Sequence, residues 1–347
     1  MTPASDPQAS TRRVTNVDAI SRPGSRAPTG RWRRTWPLLI AVLLTLGLLT
    51  LSIFTGVADI TDTVGGGSEF AWITRVPRTA SLLLAGATMA MAGLIMQLMT
   101  QNRFVEPTTV GTTEWAGLGL LLTYVILPAS GIMTKMTVAI VFAFIGTIVF
   151  FVFLRRVTLK SALIVPIVGI MFGAVVSAIS TFIALQTNLL QTLGSWFQGR
   201  FTGVEVGRYE PLWAVAVVAV IVVIIADRFT VAGLGKEVAT SIGVNYERIV
   251  LVGVGLVAVV TGIVTVIIGA LPFLGLIVPN LVSMARGDDL RSNIPWVFLA
   301  GIWIVTICDL IGRVILMPYE VPVSLVLGVV GAVVFIGLIV RQRRARG

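Results

Sequence analysis

The stretch RVPRTASLLLAGATMAMAGLIMQLMT, Arg75 to Thr100, decides the fold. From Thr79 to Thr100 it carries no charged side chain. About 20 apolar residues in helical form match the ~30 Å hydrocarbon core of a bilayer. A surface helix of a soluble protein would keep a polar face instead. The stretch therefore reads as a membrane span. Its small residues, Ala85, Gly86, Ala87, Ala90, Ala92 and Gly93, suit close helix packing; the competing reading is the wall of a wide translocation path. Two arginines, Arg75 and Arg78, stand at its start. Pro77 suits a first helical turn, and a spacing of three places both guanidinium groups on one helix face.

The same reading extends along the chain. Of 347 residues, 56% are hydrophobic and 12% charged, where a soluble domain carries about 25% charged residues. Ten apolar runs qualify as spans: 37–57, 77–99, 112–128, 136–154, 162–186, 211–227, 249–270, 273–286, 295–315 and 321–340. The third is short and has Glu114 near its start. The eighth is short and interrupted by Pro279-Asn280; such spans are tolerated where protein or a cavity surrounds them. Residues 1–36 are polar and arginine-rich, too long for the n-region of a signal peptide, and read as a disordered basic cytoplasmic tail. Residues 342–347 read as a second basic tail. The domain is 37–341.

The net charge of +10 is distributed between the apolar runs, which is a topology signal rather than a nucleic-acid surface. With the N-terminus inside, 20 of the 26 Lys and Arg fall in cytoplasmic segments. The remaining six, Arg75, Arg78, Lys135, Arg200, Arg208 and Arg313, fall outside. Both termini are thus predicted cytoplasmic, in a multi-pass protein of the cell membrane. Arg75 and Arg78 oppose this bias. Either they anchor a helix at the headgroups, as basic side chains commonly do, or they serve a partner.

Enzyme chemistry finds no foothold. There is no histidine, and the one cysteine, Cys308, lies in an apolar run, so the common metal ligands are missing and no metal site or catalytic set is visible. Gly235-Lys236 resembles the end of a phosphate-binding loop, but position 230 is Thr and position 237 is Glu, so that motif fails. ATP energy would have to come from another chain. Carboxylates within spans are few. Asp309 and Arg313 are four apart and share a helix face, a possible intramembrane ion pair. A proton-coupled secondary carrier, the alternative from another class, usually places acids at mid-membrane. A metal crossing here would cross wrapped in a chelator. Two loops are long enough for structure: 187–210, where Leu190 to Phe197 suits a short interfacial helix, and the inner loop, where Gly235 to Gly243 is an ordinary solvated loop or a short docking helix.

Several stretches carry a family likeness. RVPRTASLLLAGATMAMAGLIMQLMTQNRFVEPTTVG (75–111), LGKEVATSIGV (234–244), GALPFLGLIVPNLV (269–282), DLIGR (309–313) and YEVPVSLVLGVVGA (319–332) occur in the order found in one family. The chain resembles the FecCD-type permeases of ABC importers for iron–siderophores and cobalamin, over about residues 37–341. It departs from the pattern at Arg103-Phe104, Lys236, Asn280 and Ser324. FVEPTTVGTTEW and VPNLVSMARGDDLR look more like the branch handling ferric catecholates than the cobalamin branch; cobalamin or haem remain the alternative substrates. The resemblance implies an all-α, ten-helix, type II importer permease with no cofactor of its own. It implies a second permease subunit, identical or paralogous, and two cytoplasmic ATPase subunits that hold ATP and magnesium. An extracytoplasmic substrate-binding lipoprotein would deliver a ferric siderophore, iron entering only as chelated substrate. On this resemblance Arg75, Arg78 and Arg313 dock the binding protein. Gly235, Lys236, Glu237, Ala239, Ser241 and Gly243, within coupling segment 234–244, seat on the ATPase.

Overall fold

A computed structural model describes residues 31–56, 69, 71–156 and 164–344. The chain divides into two compact units, Met1–Ala41 and Val42–Gly347. Of the first, residues 31–41 are described and are helical. Residues 1–30 of the basic N-terminal tail and 345–347 of the C-terminal tail lie outside the described residues.

The described residues are helical and loop, without strands. We number the α-helices in chain order: α1 (Arg31–Phe54), α2 (Val76–Thr100), α3 (Thr112–Ile126), α4 (Ile132–Arg156), α5 (Ile164–Gln186), α6 (Leu190–Trp196), α7 (Trp213–Gly233), α8 (Lys236–Ser241), α9 (Tyr246–Ile267), α10 (Leu274–Arg286), α11 (Leu290–Val314) and α12 (Val323–Arg344). Each of the ten predicted spans coincides with one helix. The additional two, α6 and α8, are the short helices of the two long loops. Boundaries differ mainly at the ends: α1 begins at Arg31 and α11 at Leu290, and α12 runs on through Arg344. Polar residues at a helix end continue the backbone hydrogen-bond ladder outside the apolar layer, which hydropathy alone does not register.

Among the described residues, seven helices are long and apolar enough to cross a bilayer. The 13 residues of α10 and the 15 of α3 are shorter. Helix α2 is central, packing against α7, α9, α10 and α11. Its small residues face these neighbours. A Cβ on Gly93 would sit 2.1 Å from the Gly275 carbonyl oxygen of α10, and one on Gly86 would sit 2.8 Å from the Gly301 carbonyl oxygen of α11. Ala85, Ala90 and Ala92 are fully enclosed. The stripe brings backbones together, the role small residues serve where lipid supplies no hydrophobic drive between helices.

Candidate functional site

Three constellations stand out, two at opposite ends of the bundle and one within it. The one within it is α10, a continuous helix with a proline inside it. Pro279, inside α10, has no N–H and leaves the carbonyl of Gly275, four residues earlier, without its helical donor. Gln97 of α2 fills the gap, its Nε2 donating to Gly275 O at 3.1 Å. Asn280 Nδ2 donates to Leu276 O at 2.7 Å and to Arg103 O at 2.8 Å. At the start of α10 the orphan amides of the first turn meet a buried carboxylate. Glu106, on the 101–111 loop, accepts from Phe273 N at 2.7 Å and Leu276 N at 3.1 Å. A negative group at a helix N-terminus is stabilised by the aligned peptide dipoles. The Gly275 carbonyl and the Phe273 and Leu276 amides thus find their partners within the protein, as a bilayer would require of them.

Glu106→Ala should therefore destabilise the chain by about 1–3 kcal/mol, the cost of leaving buried donors unmade. The thermal unfolding midpoint of detergent-purified protein should fall, with Glu106→Gln intermediate because it keeps one acceptor oxygen. A midpoint unchanged in Glu106→Ala would contradict the capping role.

At the end predicted to face outward, the arginines at the mouth of α2 are built into a charge network. Arg78 donates from Nε and Nη2 to Asp309 Oδ1, at 3.3 and 2.7 Å. Its Nη1 donates to both oxygens of Glu320, at 2.9 and 3.0 Å. Arg313 donates to Asp309 Oδ2, one turn back on α11. Two cations and two carboxylates thus form a closed set. Arg313 also donates to the carbonyls of Ser52 (2.7 Å) and Thr55 (3.0 Å), and Arg75 to the carbonyl of Ile53 (2.8 Å). These carbonyls lie at the C-terminal end of α1, where backbone acceptors lack helical partners and cations are favoured.

The three sequence-singled arginines are therefore gathered at one end but placed differently. Arg75 and Arg313 are buried, closing α1 from two sides. Arg75 lies in a π-helical turn, Ala71–Arg75, and donates to the end of α1, whereas Arg78 donates to Asp309 and Glu320. Arg78 keeps an edge exposed beside Glu320. Thr202 Oγ1 donates to Glu320 at 2.6 Å. Half-burial works against charge on Glu320, but the hydrogen bond and charge of Arg78 outweigh it and hold the carboxyl below its ordinary range.

At the other end, α8 stands between two glycines in left-handed backbone, Gly235 (φ 107°) and Gly243 (φ 80°). Ala239 is buried and pins the helix. Lys236 reaches Glu247 at 3.3 Å, and Arg155 reaches the same carboxylate at 3.5 Å. Glu237 and Ser241 are exposed. Leu234, Val238 and Ile242, at spacings of four, are also exposed, and make an apolar ridge.

Sequence reasoning missed Glu106, Gln97 and Glu320. It weighed Glu114, which lies in the first turn of α3, and one buried oxygen of that carboxylate has no hydrogen-bond partner. Among the described residues no three His, Cys, Asp or Glu side chains are placed to hold a metal ion.

The FecCD transport family model matches residues 38–341. The chain belongs to the FecCD transport family. Within it, the chain is 55% identical to the petrobactin import system permease protein FatD of Bacillus anthracis, over 96% of this chain and 99% of that one. It is 37% identical to the ferric-anguibactin transport system permease protein FatD of Vibrio anguillarum, over 80% and 90% of the two chains. Its fold matches a solved inward-facing structure described as a metal-chelate type ABC transporter, with a TM-score of 0.75 at 22% identity, over 88% of this chain and 99% of that one. This FecCD chain is accordingly an all-α, multi-pass membrane protein with importer-permease architecture.

Proposed function

We infer that this FecCD chain is the translocation subunit of an ABC importer carrying a ferric siderophore into the cytoplasm. The observation that carries the reading is 55% identity, over nearly the full length of both chains, to a petrobactin permease. ATP hydrolysis belongs to two partner ATPase subunits, and a second permease subunit completes the membrane pathway. The exposed ridge of Leu234, Val238 and Ile242 on coupling segment 234–244, with Gly235, Lys236, Glu237, Ala239, Ser241 and Gly243 setting its shape, fits a groove on the ATPase. At the opposite end, the surface around Arg75, Arg78 and Arg313 receives an extracytoplasmic binding protein. Arg78 and its Glu320 edge make the contact, while Arg75 and Arg313 hold α1 and Asp309 in place behind it. Opening alternates between the two ends as the ATPase pair changes spacing.

Reconstitution tests this. In proteoliposomes containing the chain and its ATPase, with binding protein supplied, uptake of an iron-55 ferric siderophore should require ATP. Uptake by the chain alone under an imposed pH gradient would establish a proton-coupled carrier instead. ATP-driven uptake of cobalamin or haem, with none of ferric siderophores, would overturn the substrate.

A further inference from the structure

The loop 197–209, between α6 and α7, borders a cavity of about 660 Å³ at the predicted outer end. Small-molecule sites commonly fall between about 300 and 1,000 Å³. Three cations line it from two elements: Lys135 at the start of α4, and Arg200 and Arg208 on the loop. No lining residue is acidic. Arg208 approaches only Glu205, at 4.0 Å, in a pair exposed on both sides, which water screens. Lys135 instead lies over an aromatic ring, its Nζ 3.8 Å from the centroid of Tyr124. Tyr124 in turn lies against Trp196, centroids 4.5 Å apart and planes at 32°. Both rings line the cavity, and the buried Thr265 of α9 contributes to its lining.

A concave site with one sign of charge focuses field lines and concentrates the opposite ion. Like charges gathered in one cavity, with only the exposed Glu205 beside one of them, are unfavourable until an anion joins them. Neighbouring aromatic rings add a flat apolar wall suited to stacking. A lipid headgroup would need only a flat rim of basic side chains, whereas this site is concave and includes a buried residue. Thr202 lines the cavity and hydrogen-bonds Glu320, so the cavity adjoins the Arg78 network where the delivering protein is proposed to dock.

We propose that this cavity is a receiving site for a polyanionic, aromatic ferric chelate, with Lys135, Arg200 and Arg208 pairing its charge and Tyr124 and Trp196 stacking its rings. The inference rests on the importer reading and adds where the substrate first meets the chain. Its test uses the full chain with its ATPase in nanodiscs of phosphatidylcholine, which carries no net charge. Equilibrium dialysis with iron-55 ferric tris-catecholate, a trianion, is compared with a neutral ferric tris-hydroxamate. The combined variant Lys135→Gln, Arg200→Gln, Arg208→Gln should bind the trianion at least tenfold more weakly and the neutral chelate unchanged, and Trp196→Ala should weaken the trianion alone. Equal trianion affinity in wild type and the triple variant would overturn the proposal. So would a loss confined to anionic-lipid retention, or to binding-protein affinity. If the triple variant also keeps wild-type ATP-driven uptake, the cavity assignment falls while the importer reading stands; if wild type imports no ferric siderophore, the importer reading itself falls.

Discussion

Asp309→Ala is expected to destabilise the chain by about 3–5 kcal/mol, the range for removing one partner of a buried ion pair. Asp309 has no exposed side-chain surface and takes donors from both Arg78 and Arg313. Without it, Arg313 would keep Ser52 and the carbonyls at the end of α1, dipoles that cannot neutralise a full charge. Equilibrium unfolding of the detergent-solubilised chain measures the loss. Asp309→Asn should fall between, retaining one hydrogen-bond acceptor but no charge. Glu320→Gln is the contrast. Its carboxylate is 30% exposed, and pairs near water contribute only about 0–1 kcal/mol. The combined change Asp309→Leu with Arg313→Met should recover part of that stability relative to Asp309→Ala, because it removes the buried Arg313 charge together with its carboxylate and leaves Arg78 paired with Glu320. A loss below about 1 kcal/mol in Asp309→Ala would show that the network is not load-sharing in the way a buried pair must be.

How much of this was legible in the sequence follows from the range of each interaction. The spans were readable because hydropathy is local: a window of about 20 residues suffices. The Asp309–Arg313 pair was readable because i, i+4 spacing on one helix fixes neighbours. Arg78 was not readable in the same way. Its two carboxylates lie 231 and 242 residues further on, so from the sequence it looks like a free cation at a helix mouth. Glu106 hides for the same reason. The amides it caps are 167 and 170 residues away, and it sits in a loop with no periodicity to mark it. A usable signal did exist. An interior proline in a membrane helix leaves a carbonyl needing a donor, and Gln97 is the one amide side chain between Ser81 and Thr100 on the neighbouring span. The arrangement of α8 had a signal as well, in the two bracketing glycines, but composition alone could not separate a short helix from an ordinary loop.

That short helix carries the other large expected effect. Charging the ridge, as Val238→Asp with Ile242→Asp, should abolish ATP-driven uptake while leaving the chain folded. Both side chains are exposed, so stability should change little, as surface substitutions usually stay within about 0.5 kcal/mol. Exposed apolar side chains at a water-facing end have no gain from lipid; covering each one fully yields about 1.5–3 kcal/mol. If a partner groove covers both, their loss removes about 3–6 kcal/mol of association, and each 1.4 kcal/mol is tenfold in affinity. The ATPase should then dissociate at least a hundredfold more readily in a direct binding measurement, with substrate-stimulated ATP hydrolysis lost in parallel. Ala239→Leu separates contact from placement. Ala239 is fully buried on the inner face of α8, and overpacking such a site costs about 1–3 kcal/mol. It should displace the ridge, weakening ATPase binding and lowering stability together, whereas the double aspartate variant weakens binding alone. Wild-type ATPase affinity in the double variant would mean that the ridge faces no groove, and the coupling role of 234–244 would have to be sought in its charged residues, Lys236 and Glu237.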